Sequence, residues 1–173
     1  SPEKGVELIL KCAREINRTG YGSEYVIDIY GIIDDSYREC FLSQIIKLTN
    51  VSFKGLLDLN VPTNYNVLAS YDVLLFPTFF EGEGFPGVLI DAYIAGLAVV
   101  ASNWNLNSEV IEDGHSGVLI KPNSANDLKE IIISFLDGKI DINAMSKNCQ
   151  SMCLKYQVEN VLNDKLLKEI GLL

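Results

Sequence analysis

Positive charge is scarce in this chain of 173 residues: 14 Lys and Arg stand against 23 Asp and Glu, a formal net charge of −9. Binding a polyanion needs clustered cations, so nucleic acid is excluded as the expected partner. Long apolar runs are missing too. No stretch approaches the ~18 uncharged apolar residues of a membrane span, and the opening SPEKGVELIL lacks the basic region and apolar run of a signal peptide. A cytoplasmic location is the expectation, with peripheral attachment at the inner face of the membrane in a full-length protein. Histidine occurs once, and of Cys12, Cys40, Cys149 and Cys153 only the last two share helical spacing. Without His or acidic neighbours to complete a metal site, they read as reduced thiols.

What is present suits a soluble globular protein, with 48% hydrophobic and 21% charged residues. The length fits one domain over 1–173. Helical spacing of apolar residues over 5–18 is followed by the strand-like 25-YVIDIYG-31, a helix at 36–48 and a short strand 51-VSFKG-55. After Pro62 comes a short helix ending near Tyr71, then 72-DVLLFPT-78, an apolar run of the kind buried on both faces of a sheet. A helix from about Pro86 to Ala95, strand 98-AVVAS-102, a short helix near Asn107–Glu112, strand 117-GVLIK-121 and a helix at about 124–137 follow. The tail from Asn143 to Leu173 reads as two more helices, the last with an apolar stripe at Val158, Val161–Leu162, Leu166, Ile170 and Leu173. Alternating strands and helices with short connections specify an α/β domain, a doubly wound, Rossmann-like parallel sheet. Such domains open with a strand and this chain opens with a helix, so the first strand is expected upstream or missing.

Ligands of open α/β sheets gather beyond the carboxyl ends of the strands. The loop 79-FFEGEGF-85 lies at such an end, and Pro86 suits the first helical position, which would leave the Gly87 and Val88 amides free for an anion such as a diphosphate. Asp91 is four residues after Gly87 on the same helical face, roughly 6 Å further along the axis. Its face-mates Ile94 and Ala95 are apolar, so its carboxylate needs donors or a cleft, and ribose hydroxyls are suitable donors. Glu83, in the loop, projects over the same pocket. The plainer reading remains open at this point: acidic residues are favoured near a helix N-terminus, and an Asp in a helix is ordinarily solvated.

The run 76-FPTFFEGEGFPGVLIDAYIAGLAVVAS-102 resembles the signature of the retaining glycosyltransferases of GT-B architecture known as group 1 or family 4: Pro-Thr, then Glu, seven residues and an acid, here Glu83 and Asp91. The stretches 3-EKGVELIL-10, 51-VSFKG-55 and 111-IEDGHSGVLIKPNSANDL-128 fall in the family's order, so the likeness covers about residues 3–137. The resemblance implies one half of a two-domain enzyme, the C-terminal domain that binds a UDP- or GDP-linked sugar, with no metal or further cofactor. It implies that Glu83 binds donor-sugar hydroxyls and that the backbone at Phe85, Gly87 and Val88 holds diphosphate and sugar. Asp91 would bind the ribose, Lys4 would neutralise the leaving diphosphate, and Leu56 would lie where backbone contacts the base. Implied partners are an N-terminal acceptor domain and a glycan or lipid-linked acceptor, in bacterial surface polysaccharide synthesis. Three departures stand out. Asp91 replaces a glutamate, shortening the arm by about 1.5 Å; Pro86 replaces a commoner glycine and removes a donor; and the family's first-strand arginine has no counterpart from Ser1 onward.

Elsewhere, His115 reads as a turn residue before a strand. Asp34 and Asp35 diverge as neighbours and lack a further metal ligand, and Trp104, Asn107 and Glu109, on the loop and helix start after strand 98–102, are candidates to border the pocket. Two other functions compete: a sugar-nucleotide epimerase of the same architecture, and a non-catalytic nucleotide- or dinucleotide-binding module. Gly82-x-Gly84-x-x-Gly87 matches a dinucleotide fingerprint, but it follows a late strand and lacks the acidic residue about 20 positions on.

Overall fold

The computed structural model describes residues 2–161. A single 3₁₀ turn at Pro2–Lys4 leads into α1 (Val6–Arg18), followed by β1 (Ile27–Tyr30), α2 (Asp35–Ile45) and β2 (Val51–Gly55). Then come α3 (Tyr65–Leu68), β3 (Val73–Phe76), α4 (Gly87–Ala95), β4 (Ala98–Ser102), α5 (Asn107–Val110), β5 (Gly117–Ile120), α6 (Ala125–Leu136), α7 (Ile142–Cys153) and α8 (Val158–Val161). The elements expected up to α7 are all there, and of the last expected helix only Val158–Val161 lies among the described residues. The tail differs: a 3₁₀ turn at Leu154–Tyr156 separates α7 from α8. Leu162, Leu166, Ile170 and Leu173 of the expected apolar stripe lie outside the described residues, and the side chain of Val161 is exposed. Among the described residues no helix is long and apolar enough to cross a membrane.

All strand pairings are parallel. They form two ladders, β1 with β2 and β3-β4-β5. One core spans both: Ile9, Leu10, Ala13 and Ile16 of α1 pack with Ile27 and Val51 of the first ladder and Ala98, Val100 and Ile120 of the second. The ladders therefore belong to a single layer, broken between β1 and β3. On the other face, Leu89, Ala92 and Tyr93 of α4 and Cys149 and Met152 of α7 pack with Val99 and Ala101. Strand β4 thus supplies both cores in alternation, as the period of two along a strand requires. Its five residues are all buried, which accounts for the uniformly apolar AVVAS. Burial also pushes the thiols of Cys12 and Cys149 up to about 12, so both are inert.

The break carries an energetic consequence. Beside it lies a concavity of about 440 Å³, lined by Tyr25, Ile27, Val73, Leu75, Ile132 and Phe135 among others. It is open to solvent, so its apolar lining is left in contact with water. All four residues of β3 are half-buried despite being Val, Leu, Leu and Phe, and Val26 is 72% exposed.

The start of α1 is pressed onto the chain leaving β3. Gly5 has φ +82°, and a Cβ placed there would sit 2.2 Å from the Pro77 carbonyl oxygen. Only glycine accommodates both the left-handed backbone and the contact. Gly5→Ala is expected to cost ~2–4 kcal/mol, the left-handed penalty plus the clash. Gly20→Ala, at φ +97° with nothing within 4 Å, should cost only ~1 kcal/mol. Urea unfolding midpoints of the two variants against the parent chain measure the difference, and equal costs would remove the contact from the account.

Candidate active site at the carboxyl ends of the strands

The chain leaving β3 is held by the segment before α1: the Phe79 amide donates to the Glu3 carbonyl at 2.9 Å. That clasp brings Lys4 to the loop. Its Nζ meets Glu83 Oε2 at 2.7 Å and lies 4.9 Å from the centre of the Phe80 ring. The fully buried Thr78 donates its hydroxyl to the same Glu83 oxygen at 3.0 Å. Glu83 Oε1 has no partner among the described residues. The side chains of Lys4 and Glu83 are 43% and 15% exposed, so the carboxylate is the more enclosed and the ammonium faces the opening.

The loop itself is braced from the segment after β4. Trp104 Nε1 donates to the Phe80 carbonyl at 3.0 Å, and Asn105 Nδ2 donates to the Glu83 carbonyl at 2.9 Å. Asn105 adopts a left-handed φ of +46° to do so. The bordering role expected of Trp104 takes the form of this brace. Asn107, by contrast, is buried and donates to the Ser102 carbonyl at 2.9 Å, a structural bond within its own connection; Glu109 is exposed and shares no bond with the loop.

At the N-terminus of α4 the structure corrects the sequence reading. Pro86 is not the first helical residue: with φ −82° and ψ 79° it occupies the N-cap in an inverse γ-turn. That turn uses the Gly87 amide, which donates to the Phe85 carbonyl at 3.0 Å. The expectation that both Gly87 and Val88 present free amides is therefore half right, because a proline ring that fixes φ leaves ψ free to close the turn. The Val88 amide meets no acceptor among the described residues. Phe85 is 57% exposed, its ring 6.1 Å from that of Tyr156.

Asp91 is half-buried, and its partner comes from α3: the Tyr65 hydroxyl donates to Asp91 Oδ1 at 2.5 Å. That bond, with some burial, pushes the Tyr65 hydroxyl up to about 12. It remains a donor at every physiological pH. Asp91 Oδ2 has no partner among the described residues. The sequence did not single out Tyr65, and nothing in its local pattern marks it.

Leu56 follows Gly55 at the carboxyl end of β2, 67% exposed, and shares no hydrogen bond or ion pair with the cluster. His115 sits in the turn before β5, at the amino end of that strand, where Asn148 Nδ2 donates to its carbonyl at 3.0 Å. Asp35 pairs with Arg38 at 3.6 Å. Among the described residues no three His, Cys, Asp or Glu side chains gather as a metal site.

The arrangement is thus a helix N-terminus flanked by two carboxylates, each held through one oxygen and open at the other, with one cation at the rim. Such an arrangement can accept hydroxyl donors on two sides of an anion.

Comparison with known proteins agrees in fold and family. Francisella tularensis supplies a C-terminal domain of a group 1 family glycosyl transferase, which superposes with a TM-score of 0.70 at 18% identity over 91% of this chain and 82% of that one. Anabaena Alr3699/HepE, crystallised in complex with UDP, superposes at 0.78 with 19% identity over the whole of this chain and 46% of its own. The capsular polysaccharide biosynthesis glycosyltransferase CapH of Staphylococcus aureus is 30% identical over 157 residues, covering 84% of this chain and 43% of CapH. An Escherichia coli enzyme, UDP-Gal:alpha-D-GlcNAc-diphosphoundecaprenol alpha-1,3-galactosyltransferase, is 31% identical over 86 residues, half of this chain and 21% of that protein. The chain spans between about a fifth and two fifths of these curated relatives. The profile of the family described as glycosyl transferases group 1 matches residues 1–152, and the chain belongs to that family.

Proposed function

We propose that this domain binds the nucleoside-diphosphate sugar donor of a retaining glycosyltransferase, and that the donor lies across the N-terminus of α4 between Glu83 and Asp91. The observation that carries the reading is the pair of half-satisfied carboxylates. Each has one oxygen fixed by a protein donor, Lys4 and Thr78 for Glu83 and Tyr65 for Asp91, and each keeps the other oxygen for a ligand hydroxyl. The diphosphate sits at the Val88 amide and the positive end of the α4 dipole. Glu83 Oε1 takes hydroxyls of the sugar and Asp91 Oδ2 takes the ribose, while exposed Leu56 offers backbone to the base.

Lys4 serves two states. Without donor it neutralises Glu83; with donor bound, its ammonium at the rim shares its charge with the leaving diphosphate, where the developing negative charge is largest. Transfer itself needs an acceptor hydroxyl placed against the sugar carbon, and that comes from an N-terminal domain carrying a glycan or lipid-linked acceptor. The domain alone therefore binds donor and does not transfer sugar. A cytoplasmic enzyme working on surface polysaccharide at the inner membrane face is the setting that fits relatives named for capsule and diphosphoundecaprenol substrates. UDP is favoured over GDP by the HepE complexes with UDP and UDP-glucose and by the galactosyltransferase named for UDP-Gal.

Calorimetric titration of the chain with UDP, GDP, UDP-glucose and NAD tests the proposal. Uridine or guanosine diphosphate should bind and NAD should not; tight NAD binding with silent nucleoside diphosphates would sink it. Asp91→Ala should weaken UDP at least tenfold, about 1.4 kcal/mol. Glu83→Ala should leave UDP within about twofold and weaken only UDP-glucose, because it frees Lys4 for the diphosphate. Lys4→Met should weaken UDP by roughly five- to tenfold, with a loss that shrinks as salt is raised.

Tyr65 gives a separate check through pH. Folding raises its pKa, so the neutral hydroxyl stabilises the fold: the contribution is fully present below pH 10 and disappears as pH rises through about 12. Tyr65→Phe should accordingly lose less stability than the parent between pH 10 and 12 in urea melts, and should weaken UDP a few-fold at pH 7.5 because Asp91 loses its fixed rotamer. An unchanged alkaline limb would show that the Tyr65–Asp91 bond is absent in solution.

A further inference from the structure

One stretch of the loop that carries Glu83 has no hydrogen-bonded brace. Asn105 holds the Glu83 carbonyl, and the next backbone bond is that of the Gly87 amide to the Phe85 carbonyl, which closes the inverse γ-turn before α4. Between these points the chain passes through Gly84 and Phe85, whose amides donate to no acceptor among the described residues. Gly84 has no side chain, so its torsions are the least restricted in the stretch. Its orientation therefore rests on one side chain, that of Phe85.

The exposed ring of Phe85 meets the ring of Tyr156, from far along the chain, with centroids 6.1 Å apart and planes inclined at 55°. Tilted rings at this separation attract through their quadrupoles as well as by excluding water. Among the described residues no other ring pairs with Phe85.

Tyr156 is the better anchored of the two. It ends the 3₁₀ turn Leu154–Tyr156 that follows α7, and it packs against the core shared by α4 and α7, as Val88 does. Burial pushes its hydroxyl above the ordinary tyrosine range. Next to it, Lys155 Nζ reaches Glu112 Oε1 at 2.7 Å and ties the turn to the connection before β5. The Tyr156 hydroxyl has no hydrogen-bond partner among the described residues, so what the residue contributes at this contact is its ring.

We infer that Tyr156 is a positioning residue for donor binding: its ring holds Phe85, and through Phe85 the backbone that enters α4 and presents the Val88 amide. The inference rests on the proposed donor site, in which that amide receives the diphosphate. It adds a third segment to those that brace the loop, after Lys4 ahead of α1 and Trp104 and Asn105 beyond β4. Turn and loop become one coupled unit. A displacement of Leu154–Tyr156 changes affinity for the donor, and a bound donor resists that displacement to the same degree.

A double-mutant cycle read in affinity tests this. UDP and GDP are titrated calorimetrically into the chain, and the one that binds more tightly is used throughout. Tyr156→Ala should weaken it about three- to tenfold, the range of an aromatic pair, and Phe85→Ala by a similar factor. In the Phe85→Ala background, Tyr156→Ala should change affinity by less than about 1.5-fold, because the ring it acts through is gone. Tyr156→Phe should match the parent, which separates the ring from the hydroxyl. Leu154→Ala, an exposed neighbour in the same turn, should match it too. If thermal melts show that Tyr156→Ala does not fold, Tyr156→Leu takes its place in the cycle, keeping apolar bulk without the ring. Additive losses in the cycle, unchanged affinity in Tyr156→Ala, or an equal loss in Leu154→Ala each overturn the inference and leave the donor site standing. A parent chain that binds neither nucleotide overturns the donor site, and this inference with it.

Discussion

Lys4 reaches Glu83 across 79 positions of sequence because α1 begins in van der Waals contact with the backbone leaving β3. The contact exists only where residue 5 has no side chain. Everything at the rim depends on it: the Glu3 carbonyl that receives Phe79, the ammonium that receives Glu83, and the placing of Thr78 beneath both. As a source of stability the Lys4–Glu83 pair is modest, because a cation 43% exposed is screened by solvent and such pairs contribute ~0–1 kcal/mol. A chain that accepts a left-handed glycine to make a weak ion pair has spent conformational freedom on geometry. The geometry has a use only if the cation and the carboxylate must be presented together.

The two carboxylates differ in how they are held. Glu83 is on a loop, and loops are mobile unless tied down; Lys4 holds its side chain, Asn105 its carbonyl, and Trp104 the same loop at the Phe80 carbonyl. Asp91 is in the middle of a helix and needs no such bracing of the main chain. Its single donor, Tyr65, fixes only the rotamer. The shorter side chain at this position is compatible with that arrangement: an aspartate has one fewer torsion to order, and the tyrosine hydroxyl comes to it. The positions thus receive about as much support as their backbones lack.

Much of this was legible in the sequence, and the exceptions have physical reasons. The uniformly apolar AVVAS announced a strand buried on both faces, and β4 is that strand. The place of Asp91 one turn after Gly87 was legible because helical rise and periodicity are fixed once α4 begins; its pairing with Glu83, which lies in the loop, came from the family resemblance. Tyr65 was invisible because its role depends on α3 lying against α4, a tertiary fact that no local pattern encodes. The free Gly87 amide was misjudged because proline determines φ and says nothing about ψ. The break between β1 and β3 is not marked in the sequence of either strand. Periodicity shows which residues of a strand face a core and is silent about whether its edges have neighbours; DVLLFPT has the composition of a central strand and the burial of an edge.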